Sequence, residues 1–213
     1  MSETLVSAGC APGWFGKLPN AGDFASRRLP EHFIRPWDAW LQRGLANSRE
    51  VLGAAWLDGY LVAPIVRFWL GPGVFDGGAW AGLLMPSVDR VGRHFPLTIA
   101  TSCGSLACTL AAKPWFDALD AVARSMLDVD RTIEDFEEAL AQVAALPGLD
   151  AVDDAPAEHV THELLRLLPE GGPHTVWWCA DAPGPEHARS FEALPPESAF
   201  ASVLRPSATQ ERV

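Results

Sequence analysis

Residues 83–100 read Leu83-Leu84-Met85-Pro86-Ser87-Val88-Asp89-Arg90-Val91-Gly92-Arg93-His94-Phe95-Pro96-Leu97-Thr98-Ile99-Ala100. Two apolar runs, bounded by Pro and Gly, flank a short charged connection. This is the pattern of strand, polar loop, strand. It predicts strands over Trp80–Met85 and Pro96–Thr101, joined by a loop short enough for an antiparallel pair. Asp89, Arg90, Arg93 and His94 fall within six positions of that loop, with Ser87 just ahead of them. Such side chains either line a site or brace the loop against itself.

Working outward, Pro64-Ile65-Val66-Arg67-Phe68-Trp69-Leu70 has apolar residues at both parities, which predicts a strand covered on both faces. Arg67 alone interrupts it, and a buried charge needs a partner. Asp89 and Asp23 are the expected ones. Trp14-Phe15-Gly16-Lys17-Leu18 also reads as strand, closed by Pro19 and the turn-prone Asn20-Ala21-Gly22-Asp23. The candidate polar cluster is therefore Lys17, Asp23, Arg67, Ser87, Asp89, Arg90, Arg93 and His94. Arg forks of this kind can bind phosphate or carboxylate. They can equally form an Asp–Arg network that holds a loop between strands, and bracing is the preferred reading because half-buried Arg and Asp need partners in any case.

Helical periodicity appears on both sides of these strands. From Leu29 to Leu45, Phe33, Trp37, Trp40 and Leu41 recur at steps of three and four. Pro36 predicts either a new start or a kink there, and a shorter helix is expected over Val51–Tyr60. Pro114–Asp128 carries a stripe of Trp115, Phe116, Leu119, Val122, Ala123, Met126 and Leu127. Thr132 with Asp135 resembles a capping box opening a helix that Leu146-Pro147-Gly148 stops. Residues 148–156 read as an acidic connector and Glu158–Leu168 as a further helix. Thr175–Ala180 is the last strand, with adjacent Trp177 and Trp178 pointing to opposite faces; Phe191, Phe200 and Leu204 suggest a short closing element. The expected architecture is α/β: one domain, a mixed or antiparallel central sheet, helices on both faces. Its expected span is 12–205, after a loose lead-in over 1–11 and before a frayed tail over 206–213.

The composition, 48% hydrophobic and 20% charged, supports a full core. Nine Trp against one Tyr place most of the indoles in that core. No apolar run is long enough for a membrane span, and Met1-Ser2-Glu3-Thr4 lacks a basic n-region, so a cytoplasmic protein is expected. Residues 1–105 hold nine Arg/Lys against eight Asp/Glu, whereas residues 106–213 hold seven against nineteen. That acidic half disfavours nucleic acid. It suits either solubility or a basic protein partner.

Catalytic patterns are lacking. Ser87, Asp89 and His94 crowd into one loop, and Met85-Pro86-Ser87-Val88-Asp89 is no Gly-x-Ser-x-Gly elbow. There is neither a phosphate-binding Gly-Lys-Ser/Thr loop nor a GxGxxG. His159 and His162 lie three apart without an HExxH, His32, His174 and His187 look isolated, and Cys10, Cys103, Cys108 and Cys179 match no zinc or redox spacing. No catalytic, cofactor-binding or metal-binding residue is assigned, and no cofactor is expected.

Gly13-Trp14-Phe15-Gly16-Lys17-Leu18-Pro19, Gly22-Asp23-Phe24, Arg28-Leu29-Pro30, Phe33, Trp37-Asp38-Ala39-Trp40-Leu41, Pro64-Ile65-Val66-Arg67-Phe68 and the 83–100 stretch occur in an order that closely resembles the TagF/ImpM family over about residues 12–101. These are accessory proteins of the bacterial type VI secretion system. The resemblance implies a single α/β domain and a post-translational repressor. It would act opposite a threonine-kinase route by binding a partner such as the forkhead-associated-domain scaffold protein, and would not be an enzyme. Some relatives are fused to a phosphatase domain, but no phosphatase activity is expected of these residues. The alternatives are an anion or phospho-ligand sensor or enzyme using the Asp89–His94 loop, and a structural subunit of the apparatus. Oligomeric state is not readable.

Overall fold

The two strands predicted around the charged loop sit side by side inside a seven-stranded sheet. The computed structural model describes residues 11–75, 77–146, 174–179 and 188–204. The strands are β1 (Gly13–Gly16), β2 (Ala25–Arg27), β3 (Val66–Leu70), β4 (Ala79–Met85), β5 (Leu97–Cys103), β6 (Thr175–Cys179) and β7 (Arg189–Phe191). Their spatial order is β2-β1-β5-β4-β3-β6-β7. Every neighbouring pair is antiparallel, with Leu83 opposite Ile99 and Arg67 opposite both Leu83 and Trp178.

Side chains alternate across this sheet, as the two-residue period of a strand demands. Phe15, Val66, Phe68, Leu70, Trp80, Leu84 and Trp177 face one layer of helices. Trp14, Ala81, Leu83, Met85, Leu97 and Ile99 face the other. The first layer contains α1 (Glu31–Leu52), α2 (Trp56–Leu61) and α6 (Glu197–Leu204); the second contains α4 (Lys113–Ser125) and α5 (Ile133–Ala141), preceded in sequence by the short α3 (Leu106–Ala111). The expected single α/β domain with helices on both faces is what the chain forms, and its sheet is antiparallel. Eight of the nine indoles are buried, and Trp178 is half-buried. The N–H groups of Trp37, Trp56, Trp177, Trp14 and Trp40 donate to Thr98, Ser48, Thr175, Glu137 and the Pro195 carbonyl, whereas that of Trp115 is buried without an acceptor among the described residues.

Several boundaries differ from the sequence reading. Helix α1 runs unbroken through Pro36. The proline is exposed, so the carbonyl it leaves without a partner can reach water. The helix also absorbs Val51 and Leu52; a 3-10 turn at Gly53–Ala55 then leads into α2. Helix α4 ends at Ser125, which leaves Leu127 outside the stripe and exposed. The Thr132–Asp135 capping box is present, but α5 stops at Ala141, before Leu146. Strands β2 and β7 and helix α3 carried too little periodicity to be read. The lead-in over residues 1–10, the connector over 148–156, the helix over 158–168, the tail over 206–213, and Cys10, His159, His162 and His187 lie outside the described residues. Among the described residues, no helix is long and apolar enough to cross a membrane.

Candidate functional site

The 86–96 connection closes as a small hairpin. Val88 and His94 form an isolated antiparallel bridge. The Asp89 N–H donates to the Arg93 carbonyl at 3.0 Å, and the Gly92 N–H donates to the Asp89 carbonyl at 2.9 Å. Gly92 takes φ +83°, a left-handed conformation that glycine adopts without a Cβ penalty.

Asp89 is the hub of this hairpin. Its side chain is 0% exposed. One oxygen accepts from Lys17 Nζ at 2.6 Å and from Arg93 Nε at 2.6 Å. The other accepts the backbone N–H groups of Val91 at 3.1 Å and Arg93 at 2.8 Å. Burial alone would raise this carboxyl's pKa, but the donors outweigh it and hold the group well below the usual carboxylate range. Arg93 also donates to the Gly22 carbonyl, which ties the hairpin to the loop after β1. The Arg90 N–H donates to Ala21 O at 3.2 Å across the same junction.

Ser87 and His94 do not meet as a nucleophile and base. Ser87 Oγ donates to the Lys17 carbonyl at 2.7 Å. Its backbone N–H and carbonyl are both taken by the Tyr60 hydroxyl, at 3.0 and 2.9 Å. His94 stands edge-on to Trp56 and Tyr60, with centroids 5.7 and 5.6 Å away. Burial, and secondarily the charge of Arg49, lower its pKa against the opposing pull of Asp89.

Of the eight candidates, Lys17, Ser87, Asp89, Arg90, Arg93 and His94 come together, while Arg67 and Asp23 do not join them. Arg67 bonds Asp117 at 2.8 Å and Asp120 at 2.7 Å on α4, where Asp89 and Asp23 had been expected. The pleat decides this: Arg67 projects from the face opposite Val66 and Phe68, toward the α4 layer. Asp117 and Asp120 lie three apart on α4 and so share one side of the helix. That spacing was the available signal. Asp23 is exposed, and its carboxylate accepts the Phe24 N–H at 2.8 Å.

The hairpin forms one wall of an open cleft of about 400 Å³, lined by Pro19, Asn20, Val88, Asp89, Arg90 and Val129. Asn20 donates its amide N–H to the Arg131 carbonyl, while its Oδ1 is buried with no donor among the described residues. Arg90 is exposed and makes no ion pair among them. Neither Asn20 nor Tyr60 was singled out by the sequence; an Asn in a turn and a lone Tyr carry no motif. No cluster of three or more His, Cys, Asp or Glu side chains suited to a metal occurs among the described residues. His174 is buried, and its carbonyl accepts the Gly71 N–H at 2.7 Å. The described cysteines carry free thiols, and burial pushes that of Cys103 up to about 12.

The pattern of a family described as "TagF N-terminal domain, Type VI secretion system-associated" matches residues 13–143. Among solved structures, the chain is similar to the crystal structure of PA0076 from Pseudomonas aeruginosa PAO1 at 2.05 Å resolution. The two share 34% identity with a TM-score of 0.75, over 95% of this chain and 98% of that one. No curated protein matches it.

Proposed function

This chain belongs to the TagF family of type VI secretion system-associated proteins, and on that premise we propose that it is a non-enzymatic, post-translational repressor of type VI secretion that acts by holding a protein partner, the forkhead-associated-domain scaffold. The observation that carries this reading is how the polar side chains of the hairpin are used. Asp89 takes four donors, Ser87 Oγ serves the Lys17 carbonyl, and Lys17 is 4% exposed beneath them. Groups committed in this way stiffen a surface; they are not poised to exchange protons with a substrate. A stiff surface loses little entropy on association, which favours binding.

A binder of this type shifts the secretion machine's assembly equilibrium by its differential affinity for one state of the scaffold. Co-purification tests the proposal. The full chain, tagged and expressed beside the scaffold, is expected to retain it in stoichiometric amount and to be absent from assembled, firing machines. Loss of the scaffold, or a permanent place in the active apparatus, would count against a repressor and for a structural subunit.

A further inference from the structure

We infer that the face around the cleft beside the 89–93 turn is a two-fold interface with a second copy of this chain, in which the basic hairpin of each copy meets the acidic α4–α5 turn of the other. This goes beyond the partner-binding reading above and does not rest on it.

The two sides of the cleft carry opposite charge. On the hairpin side Arg90 and Arg93 are exposed, while Asp89 is buried and already faced by Lys17 and Arg93. Asp23 is the exposed anion of that side. On the other side the connection between α4 and α5 exposes Asp128, Asp130 and, in the first turn of α5, Glu134, against Arg131. No ion pair joins the two sides among the described residues. Both are fixed to the same loop after β1. Arg93 donates to the Gly22 carbonyl and the Arg90 N–H to that of Ala21, while Asn20 donates to the Arg131 carbonyl. The opposed charges are thus held side by side without neutralising one another.

Apolar side chains follow the same division. Eight large ones are exposed among the described residues; Phe24 (46%) and Val91 (66%) stand on the hairpin side, Leu127 (53%) and Val129 (69%) on the turn side. Phe24 rests on Phe95 at the base of the hairpin, with ring centroids 4.7 Å apart. Val129 lines the cleft together with Arg90. Exposed Phe beside exposed Arg is the composition of interface centres. Charge then chooses the occupant. A uniformly acidic partner meets Asp128, Asp130 and Glu134, and a uniformly basic one meets Arg90 and Arg93; like charges brought together across an interface oppose it. A surface that carries both signs side by side is matched by its own copy turned through 180°, because in an isologous contact each patch meets its complement twice.

The test is sedimentation velocity of the full chain over a concentration series. Salt at about 0.15 M, with a Debye length of about 8 Å, screens the repulsion between two chains of net charge −11 while sparing contacts at the interface. The mass is expected to rise from one chain to two and to stop there. Arg90→Glu reverses one side, and Asp130→Lys combined with Glu134→Lys reverses the other. Each variant is expected to keep the parent circular dichroism and to weaken self-association at least about tenfold. Val129→Glu, which leaves the hairpin untouched, is expected to weaken it by a similar factor. An equimolar mixture of the two charge-reversed variants is expected to restore the dimer, since each reversed side then meets a reversed complement. A chain that stays monomeric up to about 1 mM, where only contacts too weak for a specific dimer remain unseen, would overturn the proposal. So would growth past two copies, a dimer indifferent to the reversals, or no recovery on mixing.

Discussion

Asp89 shapes the turn that carries it, because its two oxygens gather four donors: the buried Lys17 ammonium, the exposed Arg93 guanidinium and the backbone N–H groups of Val91 and Arg93. Lys17 is the most exacting of these: an ammonium 4% exposed, on the strand end facing the hairpin. Asp89→Ala strands that charge, and removing one partner of a buried pair costs about 3–5 kcal/mol. Urea unfolding is expected to show a loss of that size in the variant. The pH dependence follows from the depressed pKa of Asp89. The group's contribution is fully present above the unfolded carboxylate pKa, near 4, and is lost as pH falls toward the lower folded value. His94, depressed mainly by burial, is neutral in the fold where the unfolded imidazole already takes a proton, so its contribution also declines on acidification below about 6.5. The parent chain is therefore expected to lose stability in two stages as pH drops, and a His94→Gln variant to lose the upper stage in the same titration. Of these residues, the sequence pointed to the Asp89, Arg93 and Lys17 grouping through spacing and charge. It could not single out Tyr60, whose hydroxyl bridges Ser87 from 27 positions away.

At the scale of elements, α1 was legible because its apolar residues recur at helical steps, and β3, β4 and β5 because their parity is unbroken. What the pattern lacked was the neighbour each face meets. Gly44 illustrates this. It falls on the buried stripe of α1, where any small residue would satisfy the periodicity. In the fold it is the seat of α6: a Cβ there would come within 2.2 Å of the Phe200 ring. Gly44→Ala, favourable by about 1 kcal/mol in an isolated helix, is expected here to destabilise the protein by about 1–3 kcal/mol through overpacking. Thermal unfolding followed by circular dichroism checks the sign, and a gain in stability would show that α6 yields. Helix α6 packs on α1 through Phe200, Val203 and Leu204 across more than 150 residues of chain, a separation no local window samples. Strands β2 and β7, three residues each, are too short to carry a period at all.

For the whole molecule, the single sheet is shared by two layers of helices, one packed on each face. Trp37, Trp40 and Trp177 stack on one side; Trp14 packs on Phe136, and Trp115 on Phe116, on the other. Both layers bury against the same β3, β4 and β5, so loss of either exposes the sheet beneath the other. Indole fluorescence from Trp→Phe variants that silence each layer in turn is expected to report coincident denaturant midpoints; separated midpoints would mean that the layers unfold independently. The class of this fold, its helices on both faces, the central antiparallel pair and the polar turn were settled by composition, period and local spacing, because those features depend on residues close together in the chain. Tertiary structure alone decided that the sheet is wholly antiparallel with the order β2-β1-β5-β4-β3-β6-β7, that Arg67 pairs with α4 rather than with the hairpin, and that Asn20 and Arg90 share a cleft. Each of these depends on which distant surfaces are brought into contact, and that is set by burial summed over the whole chain rather than by any one stretch of it.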